Sequence, residues 1–346
     1  MNKILSALLL VVLALASTAT YAQDEESKPE LSISGSIDTY YRRVLSGGTN
    51  DPSTGATTAP GSSFANGTGF SLGMANVILG LEGEKTGFVA DLVFGPRGND
   101  AVFNSLTGST PIVNQMYAYW NVSDNVTLTL GNFNTFLGYE VISPASNFNY
   151  STSYMFSYGP FSHSGLKADF SLGEASAMLA IMNSTDYTDF STDGEYVLGA
   201  QVGYGGAYLN FLYSRDFYQI DLTAGWDLSD SFYLGVNATK AKDSFSGAAL
   251  YLQSAFSDDF SLGLRGEYFK DDGGLVTVAG EKIIDLTLSA NYSIGNLTFI
   301  PEIRMDMLDS DGYIKSADGI DVLGNPINPA FGKSLSSFTL AAVYSF

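Results

Sequence analysis

Hydrophobic and polar residues alternate one by one along most of this chain, from Leu31 to Phe346. Ile284, Leu286, Leu288, Ala290, Tyr292 and Ile294 share one face of a period-two pattern, and Asp285, Thr287, Ser289, Asn291 and Ser293 share the other. Tyr218, Ile220, Leu222, Ala224 and Trp226 oppose Gln219, Asp221, Thr223, Gly225 and Asp227 in the same way. Side chains of a strand point alternately to its two faces, so these runs predict strands with one greasy and one polar side. Each run is about ten residues long, the length a tilted strand needs to cross a bilayer.

Sixteen such segments can be marked, near 31–45, 69–84, 87–95, 112–122, 126–134, 162–172, 175–183, 195–204, 207–215, 217–228, 231–241, 246–256, 260–270, 282–294, 296–308 and 334–346. Short links such as Lys85-Thr86, Gly173-Glu174, Gly205-Gly206 and Ser229-Asp230 broadly alternate with long ones at 46–68, 96–111, 135–161, 184–194, 271–281 and 309–333. Hairpins with short turns at one end and long loops at the other are the signature of a membrane barrel. A β-sandwich also alternates, but the meander here is unbroken, the greasy faces carry aromatics at strand ends, and the polar faces carry charges in mid-strand. The expectation is an all-β, transmembrane, antiparallel up-and-down barrel of about sixteen strands. The links near 216 and 242–245 and the stretch 145–165 leave roughly 14 to 18 compatible. Closure is required because an open edge in lipid would leave backbone groups unpaired.

Both ends of the chain bear on location. Lys3, the apolar run Ile4 to Ala16 and the small-residue site Thr20-Tyr21-Ala22 predict a signal peptide over 1–22. Residues 23–30 are acidic and contain Pro29, and read as a short periplasmic lead-in before a barrel over 31–346. At the other end Phe338, Leu340, Ala342, Tyr344 and Phe346 share a face. A terminal greasy strand ending on Phe looks like the closing strand of a bacterial outer-membrane barrel. That likeness implies that Phe338, Leu340, Tyr344 and Phe346 form a signal read by the barrel-assembly machinery.

Composition narrows the chemistry. The chain has 36 acidic and 16 basic residues, a formal charge of −20, which argues against a nucleic-acid partner. It has no Cys, so disulfides, thiolate metal sites, a Cys nucleophile and lipidation at an N-terminal Cys are all excluded. One His leaves little scope for a metal site, and no cofactor or metal is expected. The Asp309-Ser310-Asp311-Gly312 and Asp318-Gly319-Ile320-Asp321 stretches miss the full ligand spacing of a Ca²⁺ loop and read as turns.

The most distinctive region is 131–165: Gly131-x-Phe133-x-Thr135-x-x-Gly138-Tyr139-Glu140, then Asn149-Tyr150-Ser151, then Pro160-x-x-His163-x-Gly165. This pattern resembles the β-barrel porins of the OmpL-like family. The resemblance implies a porin of the Gram-negative outer membrane, in contact with its lipids and lipopolysaccharide. Many porins are trimers, and a homotrimer stays open here.

Within that region, 135–161 is too long and too aromatic for a simple turn, and such loops are commonly functional. The expectation is that it folds inward and narrows the pore, with Tyr139, Glu140, Asn147, Asn149, Tyr150 and His163 as constriction candidates; a lid over the mouth is the other arrangement. Parity places Asp38, Glu82, Glu84, Asp91, Asp169, Asp221, Asp227, Glu267, Asp285, Glu302 and Asp306 toward the lumen against Arg42, Lys167, Arg265 and Arg304. That excess predicts a water-filled channel for small hydrophilic solutes and ions with a modest cation preference. Two other classes remain. Tyr139, Tyr150, Tyr154 and Tyr158 could form an aromatic slide in a sugar-specific channel or surface-binding barrel. An outer-membrane hydrolase would depend on His163, whose neighbours Ser162 and Ser164 point to the opposite face and are poor partners.

Overall fold

The computed structural model describes residues 30–346 apart from 103, 105, 106, 109, 192, 193 and 277. The expected signal peptide and residues 23–29 of the expected lead-in lie outside the described residues. Glu30 itself opens the first strand.

Fifteen strands follow in order: β1 (Glu30–Ser46), β2 (Gly69–Glu82), β3 (Thr86–Phe94), β4 (Val113–Ser123), β5 (Val126–Asn134), β6 (Ser162–Leu172), β7 (Ala175–Asn183), β8 (Tyr196–Tyr204), β9 (Ala207–Tyr213), β10 (Tyr218–Ser229), β11 (Phe232–Ala241), β12 (Phe245–Ser257), β13 (Phe260–Asp271), β14 (Glu281–Ile294) and β15 (Leu297–Leu308). After them come β16 (Tyr313–Ser316), β17 (Ala330–Gly332) and β18 (Ser334–Ser345). β16 and β17 form a separate two-stranded sheet within the last long loop. The other sixteen close a barrel, each paired antiparallel with its chain neighbour and β18 paired with β1. Two short helices lie in loops, α1 (Pro96–Ala101) and α2 (Tyr154–Ser157).

The closed sheet follows from the alternation. Ile284, Leu286, Leu288, Tyr292 and Ile294 are exposed on the outer face, and Asp285, Thr287 and Ser289 between them are wholly buried on the inner one. The same parity leaves Ile303 and Met305 exposed beside buried Glu302, Arg304 and Asp306. The outer face is therefore a lipid-facing surface and the inner one a polar lumen. Short turns gather at the end that holds Glu30 and Phe346. At Gly205-Gly206 both φ angles are positive, 56° and 82°, as a two-residue hairpin turn matching strand twist requires. Tyr204, Trp226, Phe256, Tyr292 and Tyr344 ring this end, and the Trp226 indole donates to the Gly205 carbonyl at 2.8 Å. Amphipathic rings of this kind belong at a membrane–water interface.

The links at 214–217 and 242–244, whose shortness obscured the alternation in the sequence, fall at the long-loop end. They are tight connections there because β9–β10 and β11–β12 pair up to their last residues.

Candidate functional site

Segment 135–161 leaves β5 and runs across the inside of the barrel. A buried loop ordinarily strands its backbone N–H and C=O groups. Here the wall answers them. Asp221 of β10 accepts from Gly138 N at 2.9 Å, and Glu302 of β15 accepts from Tyr150 N at 2.8 Å and Ser151 N at 3.2 Å. Glu267 of β13 accepts from Tyr154 N and Met155 N at 2.8 and 2.7 Å, two of the orphan donors in the first turn of α2. Guanidinium groups serve the carbonyls: Arg265 donates to Ser151 O at 2.6 Å, Arg304 to Thr152 O at 2.7 Å, and Arg97 to Tyr150 O at 3.0 Å.

The wall charges are paired among themselves as well. Arg265 lies 2.8 Å from Asp285 and 2.6 Å from Glu140 of the loop, and Arg304 lies 2.8 Å from Asp306. Glu140 in turn accepts from Ser153 N at 2.7 Å. The Tyr150 hydroxyl donates to Asp38, and the Tyr154 hydroxyl to Asp306 at 2.9 Å.

Loop side chains are seated on the wall where it has no Cβ. A Cβ added to Gly235 would lie 2.6 Å from Tyr139 Cζ, and one on Gly263 would run into the Phe148 ring. Tyr139 also stacks on Tyr251, centroids 4.1 Å apart and planes 20° apart, and its hydroxyl donates to the Tyr233 hydroxyl at 3.0 Å. The start of the loop meets a different surface. Phe136 and Leu137 pack against Met178, Met182, Val197 and Leu212, an apolar stretch of the inner wall that the expectation of a polar lumen does not foresee.

Two other loops lie over this segment. Thr152 N donates to Ser63 O at 3.1 Å, Tyr158 Oη to Gly61 O at 2.7 Å, and Tyr154 and Tyr313 share a hydroxyl contact of 3.1 Å. Below it, toward the short-turn end, two cavities of about 400 and 480 Å³ share six lining residues, among them Asn147, Phe148, Tyr233, Gln253 and Asn291.

The residues singled out in the sequence divide cleanly. Asp38, Arg42, Asp91, Asp221, Arg265, Glu267, Asp285, Glu302, Arg304 and Asp306 all point inward, yet each is at most 3 % exposed because the loops cover them. Lys167 and Asp169 pair at 2.9 Å and stay open to solvent. Of the constriction candidates, Tyr139, Glu140, Asn147 and Asn149 border a cavity; Asn147 brackets Val141 through its N–H and C=O. Asn149 donates to Ser289 at 2.8 Å. Tyr150 and His163 are wholly buried, so they hold the loop to the wall and present no surface to an opening. His163 bonds Thr135 Oγ1 through Nε2 at 3.0 Å and packs on Phe136. The burial of Tyr150 and Tyr154 likewise removes them from any aromatic slide. Arg97 was not foreseen; its signal, a cation in an otherwise ordinary loop, is weak in sequence.

A family model described as "Putative beta-barrel porin-2, OmpL-like" matches residues 30–346. The chain belongs to this porin family. Solved structures share the architecture at low identity. The outer-membrane channel DcaP of Acinetobacter baumannii is 13% identical over 94% of this chain and 100% of its own, with a TM-score of 0.56. An anion-selective porin from Comamonas acidovorans is 11% identical over 92% and 100%, at 0.57. The trimer form of OmpT from Vibrio cholerae is 11% identical over the same shares, at 0.54. No curated protein matches by sequence. This porin is a transmembrane β-barrel of the outer membrane, and its short-turn end, with Glu30 and Phe346, is the periplasmic one. Among its described residues no helix is long and apolar enough to cross a membrane, and no group of acidic, His or Cys residues is arranged to hold a metal.

Proposed function

We propose that this barrel passes small hydrophilic solutes and ions by diffusion, with a modest preference for cations and a bore narrowed by segment 135–161. The observation that carries the reading is the fastening of that segment across the inner wall, at Asp221 of β10 and, through the Tyr150 hydroxyl, at Asp38 of β1, seven strands apart in the ring of sixteen. A segment so held reduces the cross-section open to water. The cation preference rests on which charges remain wetted. Arg265 and Arg304 are enclosed, whereas Asp227 and Asp230 stay exposed on the wall of the lower cavity. Carboxylates facing water raise the local concentration of cations. Catalysis at His163 is disfavoured by its enclosure.

Export through a signal peptide at 1–22, insertion through the closing strand, contact with lipopolysaccharide and a homotrimeric assembly complete the proposal. The trimer draws support from the trimer form of OmpT, a barrel of like fold. Planar-bilayer recording tests the central claim. Discrete conductance steps and a cation-selective reversal potential in a salt gradient are expected, the selectivity weakening as salt rises above 0.1 M, where the screening length is about 10 Å. Anion selectivity, or no conductance, sinks it.

A further inference from the structure

The structure assigns a docking site for the phosphorylated headgroup of lipopolysaccharide to the outer rim of β11–β14, at Lys240, Lys270 and Lys282. The inference rests on the proposed contact with that lipid and gives it a place; it does not depend on conductance.

The sign of the outer-face charges carries it. On the lipid side of the sixteen barrel strands the charged residues are Arg43, Lys240, Lys270 and Lys282, with no Asp or Glu among them. The chain holds 36 acidic residues against 16 basic, so composition favours the opposite outcome. All four lie at the long-loop end, within three residues of a strand terminus. The short turns at the other end carry Glu84, Asp124, Glu174, Asp230, Asp258 and Asp259, all exposed, beside a single cation, Lys85. The outer face of the wall is therefore cationic only where it meets the outer leaflet. From β2 to β10 that face carries no charge, so the cations occupy one sector of the rim.

Three of the four form one row. Register places Lys270 opposite Lys282 across β13 and β14, and Ser246 of β12 between Lys270 and Lys240 of β11. Neighbouring strands lie about 4.8 Å apart, so the row spans about 14 Å, which suits a headgroup with several phosphates better than a single anion. Like charges directly opposite one another destabilise a sheet, so Lys270 and Lys282 call for an anion above them. The carboxylates at hand fall short. Asp272 lies 2.9 Å from Lys240 and also touches Lys270, one acid for two ammonium groups. Lys282 has Asp309 at 3.4 Å, with side-chain exposures of 50% and 63%. Exposed pairs of this kind are weak, and each ammonium has three donors to share.

The height of the row fits the phosphate layer. Tyr268 is exposed on the same face two residues nearer the membrane centre than Lys270, about 7 Å along the strand. Tyr rings mark the boundary between membrane and water, and long Lys stems beside them reach the headgroups.

Binding of rough lipopolysaccharide to the full-length barrel in detergent, without divalent cations, tests the site. Dephosphorylated lipopolysaccharide, phosphatidylglycerol and inorganic phosphate are the comparison probes. Saturable binding of the intact lipid is expected, at least about tenfold tighter than any of the three and weakening as salt rises. Lys270→Gln and Lys282→Gln should each weaken it about fivefold, and together about twenty-five-fold. Arg43→Gln, on a strand three places from β14 in the ring, should leave it unchanged. Heat-modifiable gel mobility verifies that each variant is a folded barrel. Undiminished binding by the double variant, or equal binding of any comparison probe, overturns the assignment. Intact lipid that binds but ignores both lysine changes leaves the contact with lipopolysaccharide standing and refutes this site alone; no binding at all refutes both.

Discussion

Arg265 and Glu140 stand 2.6 Å apart, with side-chain exposures of 0% and 3%. One belongs to the wall and the other to the inward loop, 125 residues earlier. Arg265 keeps Asp285 at 2.8 Å when Glu140 is removed, so what is lost is the tie from wall to loop and the acceptor of the Ser153 N–H, a cost of about 1–3 kcal/mol borne by the segment. Glu140→Ala should therefore loosen the segment without opening the sheet, whose ladder does not involve Glu140. Single-channel conductance is expected to rise and become noisy, with the barrel still running as a folded species on unheated gels. Unchanged conductance would mean that the segment does not limit the bore.

Gly235 and Tyr139 provide a steric version of the same test. Val suits a strand better than Gly does. A Cβ there nonetheless occupies the place of the Tyr139 ring. Gly235→Val should leave the barrel folded and displace Tyr139, raising conductance. Combined with Tyr139→Ala, it should add almost nothing, because the two changes act through one contact. Additive effects in the double variant would show that the contact is not the one at work.

Asp186 ties the loop after β7 to the end of segment 135–161, accepting from Phe161 N at 2.7 Å and Ser162 N at 3.0 Å. Burial raises its pKa to about 6, against the pull of those two donors. An acid whose folded pKa is raised contributes stability that is full below its unfolded value and lost as pH rises through the folded one. The attachment should be tightest below about pH 4, weaken as pH rises from there to about 6, and level off above it. Amide exchange at Phe161 and Ser162, compared at pH 5 and pH 7.5 after correction for the intrinsic rate, should show more protection at pH 5. Asp186→Asn should flatten the difference. Greater protection at the higher pH would contradict it.

At the barrel seam, Phe346 exchanges two backbone hydrogen bonds with Gly35, each 3.0 Å long. The residue is 49% exposed at the greasy rim of the short-turn end. Deleting Phe346 should lower the yield of assembled barrel in the outer membrane several-fold while leaving the conductance of any assembled barrel near normal. An altered conductance with a normal yield would reverse that assignment.

Much of the architecture is legible from residue order because a barrel is local in sequence. Every strand but the seam pairs with its chain neighbours, so alternation and turn spacing specify both pairing and facing. Ile284, Leu286 and Leu288 could be assigned outward, and Asp285 and Thr287 inward, from parity alone. Strand ends were displaced by no more than two residues, where a ladder continues into a turn that composition does not mark.

What residue order could not supply is the use to which the inward charges are put. Counting Asp221, Glu267 and Glu302 as wetted pore charges is natural from parity, but these carboxylates accept backbone N–H groups of a loop remote in sequence. The apolar inner patch of Met178, Met182 and Leu212 reads as a fault in the alternation until Phe136 and Leu137 are seen to cover it.

The division has one physical origin. Period-two patterning and turn chemistry act over a few residues, and by themselves they determined the barrel, its facing and its place in the outer membrane. The course of segment 135–161 depends on contacts across more than a hundred residues, between backbone groups that carry no signature and side chains that are ambiguous alone. Only the closed tertiary structure decided that Arg265 would meet Glu140, that Tyr139 would rest on Gly235, and that cavities would remain beneath them.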